Sequence, residues 1–351
     1  MTEATNAATT HALHILSATE LDLVAGLMSK SGARVHGSLR ADLLAGGRSN
    51  LTFVVSDRST RWVLRMPPRA GRTPSAHDVA REYRVTSALA NTPVPVADAV
   101  LLCEDEAVLG GPFTVSGFVD GAAVSTQADL EAYDDTLLSS VVGELMATLA
   151  ALHRVDPARI GLGDFGRPDG YAERQLRRWA GQWERVGPDS LSRLAAEVVD
   201  ALGAALPVQR ASSIVHGDYR IDNTLLTSDG GVAAVVDWEL STLGDPVADV
   251  ALMCAYRDPA FDLILGTPSA WTSPRLPAAA ALATAYEAAG GVTLSDWEGH
   301  LALACFKVAV LAAGIDHRWQ LGGASGPGFD TAGEAIEPYL ELARKGLGAT
   351  L

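Results

Sequence analysis

His216-Gly217-Asp218-Tyr219-Arg220-Ile221-Asp222-Asn223, followed by the apolar run 232–236 and then Asp237-Trp238-Glu239, is the stretch from which the rest of the chain can be read. Thr224-Leu225-Leu226 reads as a short strand, Ser228-Asp229-Gly230-Gly231 as a turn, and Val232-Ala233-Ala234-Val235-Val236 as the returning strand. With the turn centred near Gly230, Asn223 and Asp237 face each other across the open end of the hairpin, to within one register position. Oxygen ligands from two strands suit Mg²⁺, which takes few protein ligands and completes its shell with water and phosphate oxygens. Asp218, five residues before Asn223, then sits beside the metal ligands, where a carboxylate can accept or orient the proton of an attacking hydroxyl. A single Asp or Asn beside a turn is usually a capping residue. The constellation of all three is what points to chemistry.

The spacing H-x-D-x-x-x-x-N, with a metal-binding Asp at the end of a hairpin, is that of a kinase catalytic loop, so the sequence predicts an ATP- and Mg²⁺-dependent phosphotransferase. Composition agrees. A chain of 351 residues is long enough for two lobes with a substantial core. A net charge of -15 argues against a nucleic-acid partner, because phosphate contacts require a basic surface. Cys103, Cys254 and Cys305 are odd in number and far apart, with neither metal spacing nor a disulfide framework, and read as buried thiols in a reducing compartment. No secretory signal is evident in the first twenty residues. The longest apolar tract, 301–315, is interrupted by Lys307 and falls short of a membrane span. The expectation is a cytoplasmic protein with a small-molecule partner and no membrane or nucleic-acid partner.

Along the chain, residues 1–36 read as an extension ending in a helix, with Ser17-Ala18-Thr19-Glu20 resembling a capping box ahead of Leu21, Val24 and Met28. Residues 37–119 are mostly strand-like with one helix, and 120–351 mostly helical with the catalytic hairpin inserted. The fold class expected is α+β, a small β-rich lobe joined near Phe118 to a larger helical one, with ATP in the cleft between them. Residues 268–277 are the most loop-like interior stretch.

Three features of the first lobe fit nucleotide binding. Gly46-Gly47-Arg48-Ser49-Asn50, between apolar stretches, reads as a hairpin tip whose backbone N–H groups can approach phosphate oxygens, although it lacks the full G-x-G-x-x-G spacing. Arg65 lies on a strand whose alternation puts Trp62, Leu64 and Met66 on one face and Val63 with Arg65 on the other. A helix opened by Ser75 as N-cap carries Val79, Tyr83, Val85, Thr86 and Leu89 on one side, with Glu82 inside that stripe. A carboxylate on an apolar face requires a cation, and Arg65 is the natural one, unless Glu82 reaches solvent at the edge of the stripe. That pair would present a guanidinium to the α- and β-phosphates of ATP.

These motifs, with Val235-Val236-Asp237-Trp238-Glu239-Leu240-Ser241-Thr242-Leu243-Gly244-Asp245-Pro246 and Asp249, resemble the aminoglycoside phosphotransferase and choline kinase-like group of small-molecule kinases over about residues 39–326. The resemblance implies a protein kinase-like two-lobed fold, Asp218 as catalytic base, Asn223 and Asp237 as Mg²⁺ ligands, adenine contacts from Gly117, Phe118 and Val119, and Asp249 as a structural brace. Arg65 departs from the family's usual Lys. Arg keeps its charge and can contact phosphate bidentately, but its reach differs. The longer motif, with Val63-Leu64-Arg65-Met66-Pro67-Pro68, Arg81-Glu82-Tyr83-Arg84-Val85 and Gly170-Tyr171-Ala172-Glu173-Arg174-Gln175, resembles the kinase domains associated with acyl-CoA dehydrogenases, which implies a hydroxyacyl-CoA acceptor.

For the acceptor, Arg174, Arg177 and Arg178 with Tyr171, Trp179 and Trp183 could bind a CoA phosphate and stack on adenine; the alternative is a helix with solvated arginines and core tryptophans. Glu239 and Asp245 could face substrate as an acidic wall suited to ammonium groups, and Asp316, His317 and Arg318 form another candidate edge. His153 reads as a satisfied structural histidine. Two rival functions share much of this pattern: an aminoglycoside or macrolide phosphotransferase, and a non-catalytic nucleotide-binding module.

Overall fold

The β-rich first part of the chain folds as a five-stranded antiparallel sheet because its strands alternate apolar and polar residues with a period of two. In the computed structural model, which describes residues 16–45, 50–67, 78–323 and 326–348, the chain divides into two units. One comprises Met1–Asp120 with Val236–Glu239, and the other Gly121–Val235 with Leu240–Leu351.

The first unit opens with α1 (Ala18–Lys30), whose N-terminus is a capping box between Ser17 and Glu20, as the sequence predicts. Then come β1 (Arg40–Ala45), β2 (Leu51–Ser56), β3 (Arg61–Met66), α2 (Val79–Leu89), β4 (Ala99–Cys103), α3 (Glu106–Leu109) and β5 (Phe113–Gly117). The sheet order is β1-β2-β3-β5-β4. One face is apolar: Phe53, Val55, Trp62, Leu64, Met66, Phe113 and Val115 pack with Val24 and Met28 of α1. Arg65 points to the opposite face of β3 from Leu64 and Met66, as alternation requires. Helix α2 buries Val79, Glu82, Val85 and Leu89. Its N-cap among the described residues is Asp78, whose carboxylate accepts from the Arg81 N–H at 2.9 Å, and Ser75 lies outside the described residues. The short α3 is an element that sequence reasoning missed; Asp105 caps it and Gly110 closes it with a φ of 78°.

The second unit contains β6 (Ala122–Ala123), α4 (Asp135–Arg154), α5 (Tyr171–Val186), α6 (Ser192–Ala204), β7 (Ser213–Val215), β8 (Thr224–Leu226), β9 (Val232–Val235), β10 (Thr242–Gly244), α7 (Pro246–Ala255), α8 (Phe261–Leu265), α9 (Ala279–Ala288), α10 (Trp297–Gln320) and α11 (Ile336–Gly348). Strands β8 and β9 form the expected hairpin, with Thr224 opposite Val235 and a bulge between Leu225 and Leu226. Strand β7, which leads into the loop 216–223, pairs antiparallel with β10. Helix α10 is the spine of this unit and packs on α5, α7 and α11. It runs past both ends of the tract 301–315, so α10, like α4, is long and apolar enough to cross a membrane by length and composition. That corrects the expectation of too short a tract. More than half of the most apolar 18-residue window of each helix is buried, and a core position accounts for the composition. Residues 268–277 are loop, as expected, but Trp271 is fully buried and its indole N–H donates to the Met253 carbonyl at 2.9 Å. All three cysteines are buried thiols outside any disulfide.

Candidate active site

The backbone of the loop 216–223 is held by a carboxylate. Asp249, on the first turn of α7, accepts the His216 N–H at 2.7 Å and the Gly217 N–H at 2.8 Å, and its Oδ2 lies 3.2 Å from His153 Nε2. The other His153 nitrogen meets the Tyr286 hydroxyl at 2.8 Å. Burial alone would raise the Asp249 pKa, yet the hydrogen bond and charge of His153, together with the loop N–H groups, carry it below its ordinary value. Asp249 thus braces the loop, and His153 is the satisfied structural histidine the sequence suggests. Gly217 has a φ of 81°, and a Cβ there would lie 2.8 Å from the Leu240 carbonyl oxygen, so only glycine fits this turn.

Asp218 follows at once. Its Oδ2 accepts from Asn223 Nδ2 at 3.0 Å and pairs with the Arg220 guanidinium at 3.2 Å. Asn223 Nδ2 also donates to the Asp218 carbonyl at 2.7 Å. With both of its acceptors being oxygens, the Asn223 amide presents its own oxygen away from them, the end a hard cation would take. Arg220 pairs with Asp222 at 3.1 Å as well, and its guanidinium stacks over Tyr256 and Phe261 at 4.9 and 4.8 Å. Sequence reasoning missed Arg220, although it stands two residues after Asp218 in the quoted stretch. Its signal was a buried cation between two acids. Lys307 on α10, read from sequence only as a break in an apolar tract, reaches the same loop and donates to the Gly217 carbonyl at 3.4 Å.

In the first unit, Arg65 stands between two acids. Its guanidinium is 3.3 Å from Glu82 Oε1, the expected pair, and donates to Asp237 Oδ1 at 3.1 Å, a partner the sequence did not suggest. Burial opposes the Arg65 charge, but Glu82 and Asp237 overcome it and its pKa moves up. Burial raises the Glu82 pKa, Arg65 pulls it back, and Asp237 and Glu239 push it up again, so the net direction is upward. Asp237 has a φ of 64°, in the left-handed region that Asp tolerates better than most residues. One oxygen from each of Glu82, Asp237 and Glu239 lies within 4.8 Å of the others, and Arg65 already neutralises part of that charge through Glu82 and Asp237. Carboxylate oxygen of the kind Asp237 offers is a donor that suits Mg²⁺.

The remaining predicted residues are placed as follows. Asn50 is buried, with neither end of its amide hydrogen-bonded among the described residues, and Gly46, Gly47, Arg48 and Ser49 lie outside them. Gly117, Phe118 and Val119 are half-buried; the Gly117 N–H donates to the Asp98 carbonyl at 2.8 Å, and Phe118 lies 4.0 Å beneath the Arg61 guanidinium. Asp245 does not stand on an exposed acidic wall. It is 2% exposed and caps α7 by accepting the Val247 N–H at 2.9 Å, with Pro246 following as the first helical residue. On α5, Trp179 and Trp183 are core, Arg177 is ion-paired at the surface with Glu173, Arg174 donates to the Arg167 carbonyl, and Arg178 stacks on Trp179 at 5.0 Å. The reading of solvated arginines over core tryptophans describes this helix. Arg318 is exposed on the last turn of α10.

Comparison with known proteins gives the family and the fold. A sequence model described as the phosphotransferase enzyme family matches residues 41–303. Acyl-CoA dehydrogenase family member 10 of Mus musculus is 32% identical over 302 residues, which are 85% of this chain and 28% of that protein. The chain therefore spans less than a third of that relative's length. A crystal structure from Ralstonia eutropha JMP134, provisionally classed as an aminoglycoside phosphotransferase, is 32% identical with a TM-score of 0.79 over 93% of this chain and 98% of its own. Aminoglycoside phosphotransferase APH(4)-Ia, solved with AMP-PNP and hygromycin B, is 19% identical with a TM-score of 0.61 over 89% and 96%, and shares the fold. The α+β kinase-like fold expected from the sequence is the one present.

Proposed function

The chain belongs to the phosphotransferase enzyme family and is a small-molecule phosphotransferase, and on that premise we propose that it moves the γ-phosphoryl group of ATP to the hydroxyl of a hydroxyacyl-CoA. The observation that carries the chemistry is the setting of Asp218, oriented by Asn223 and Arg220 on a loop whose two preceding N–H groups are pinned to Asp249. Asp218 orients the acceptor hydroxyl and takes its proton as the oxygen–phosphorus bond forms and the bond from the γ-phosphorus to its bridging oxygen breaks, with ADP leaving. Mg²⁺, bound through Asn223 and Asp237, would neutralise the β- and γ-phosphate oxygens. Arg65, kept charged by Glu82 and Asp237, steadies the other phosphates, with Asn50 and the glycines before it at the phosphate turn and Gly117, Phe118 and Val119 at the adenine. Residues 37–119 then form the nucleotide-binding lobe and 120–351 the acceptor lobe. The three unpaired buried thiols support a reducing, cytoplasmic setting.

The acceptor class is supported by the acyl-CoA dehydrogenase relatives, one of them 32% identical over most of this chain. Phosphorylation would turn a poor leaving group, hydroxide, into a good one. The antibiotic reading rests on the Ralstonia structure of equal identity and a provisional aminoglycoside phosphotransferase assignment. Mg²⁺-dependent ADP release against 3- and 4-hydroxyacyl-CoAs, their free acids, aminoglycosides, macrolides and choline separates these. Activity confined to the CoA thioesters is expected, and activity on an antibiotic alone overturns the acceptor. Asp218→Ala should lower turnover by about 10²–10⁴-fold while Mg-ATP still binds. Undiminished turnover would remove Asp218 from the mechanism.

A further inference from the structure

Lys307 is the one charged residue in the tract 301–315, and it sits in the middle of α10 among its buried residues. Its neighbours Phe306 and Val308 are fully or almost fully buried. With Tyr171, Gln175, Trp179, Gly217 and His300 it lines a cavity of about 30 Å³, room for one water. The ammonium lies 5.7 Å from the Trp179 ring centroid and 3.4 Å from the Gly217 carbonyl oxygen. Among the described residues, no carboxylate comes within ion-pair distance of it. A methionine would fill this space without desolvating a charge, so packing gives no reason for lysine here.

The Gly217 carbonyl belongs to the peptide that joins Gly217 to Asp218. The N–H of the same peptide points to His216 Nδ1 at 3.3 Å. One peptide plane is therefore gripped at its oxygen by Lys307 and at its nitrogen by His216, immediately before the side chain that faces the acceptor. Gly217, at a φ of 81°, is where this backbone would otherwise turn most easily.

We propose that Lys307 is a positioning residue for phosphoryl transfer: its ammonium fixes the Gly217–Asp218 peptide, and so the aim of the Asp218 carboxylate. The proposal rests on the reading of Asp218 as base. A charge-assisted donor grips a carbonyl more firmly than a neutral amine, so the grip weakens when the ammonium loses its proton. The charged and titratable groups around it are Asp218 on the loop, Asp249 on α7, Tyr171 and Arg178 on α5, and His300 on its own helix. Burial lowers the Lys307 pKa to about 8, although Asp218 and Asp249 oppose that shift.

The test compares Lys307→Met and Lys307→Arg with the unmodified chain. The readouts are ADP release from Mg-ATP with water as acceptor, thermal unfolding, and amide hydrogen exchange of residues 213–223, from pH 6.5 to 9.5. For Lys307→Met the expected result is a kcat lower by about tenfold, KM for ATP within about twofold, and faster exchange in 213–223 without a lower Tm. The unmodified enzyme should lose kcat above about pH 8, while Lys307→Arg, charged throughout, recovers part of the rate and keeps it at high pH. Unchanged kcat and loop exchange in Lys307→Met would overturn the proposal, as would a loss that follows a lower Tm or a raised KM. Asp218→Ala run beside them tests the underlying reading: full activity there sinks the base, while loop exchange in Lys307→Met still decides whether lysine holds the loop.

Discussion

Arg65, Glu82 and Lys307 show how far a single residue can be read. Glu82 was legible because a carboxylate in an apolar helical stripe is an anomaly that demands a partner, and Arg65 is that partner at 3.3 Å. Lys307 was the same kind of anomaly, yet its partner is a backbone carbonyl on a distant loop, which no side-chain pattern announces. Asp245 was misread for the opposite reason. Asp followed by Pro is a helix start, and that local signal outweighs its nearness to Asp237. Lys307 also makes stability depend on pH. Below about pH 8 the ammonium is charged in both folded and unfolded chains and its burial destabilises the fold in full. From about 8 to the ordinary value of 10.5 the folded chain has released a proton that the unfolded chain keeps, so stability should rise with pH, by at most on the order of 3 kcal/mol. Denaturant unfolding of the unmodified chain and Lys307→Met across this range checks it, the slope being smaller in the variant.

Elements were most legible where periodicity and end signals coincide. The capping box at Ser17, the hairpin of β8 and β9, and the alternation in β3 all follow from local chemistry. Helix α3 was missed because four residues give too little periodicity to see. The loop 216–223 is an element only by virtue of its brace, since Asp249 supplies the acceptors that a strand partner would otherwise provide. Its tolerance should be correspondingly low. Gly217→Ala places a Cβ 2.8 Å from the Leu240 carbonyl in a left-handed conformation. Backbone conformation alone should cost about 1–2 kcal/mol, with a further loss from the clash. A lower Tm together with a kcat reduced more than tenfold is expected. A variant with unaltered Tm would mean that the turn relaxes freely.

For the molecule as a whole, the division into a sheet-rich and a helix-rich part was visible as a change of period along the chain. The return of Val236–Glu239 to the first unit was not, because patterns are read in sequence order and this segment leaves that order. The net charge of -15 bears on the acceptor. An acidic protein repels a CoA thioester at long range and attracts an aminoglycoside. Raising salt from about 0.02 to 0.2 M screens both effects, so kcat/KM should increase for a CoA acceptor and decrease for a polycation. A CoA acceptor whose kcat/KM falls steeply with salt would place local basic contacts above the global field.

Val236–Glu239 also sets an order in time. A ribosome completes residues 1–120 and then needs roughly 6–24 s, at about 5–20 residues per second, to reach Glu239. Over that interval the nascent first unit holds Arg65 and Glu82 but neither Asp237 nor Glu239. The unit that emerges first is completed last, by four residues synthesised after β7, β8 and β9 of the other unit.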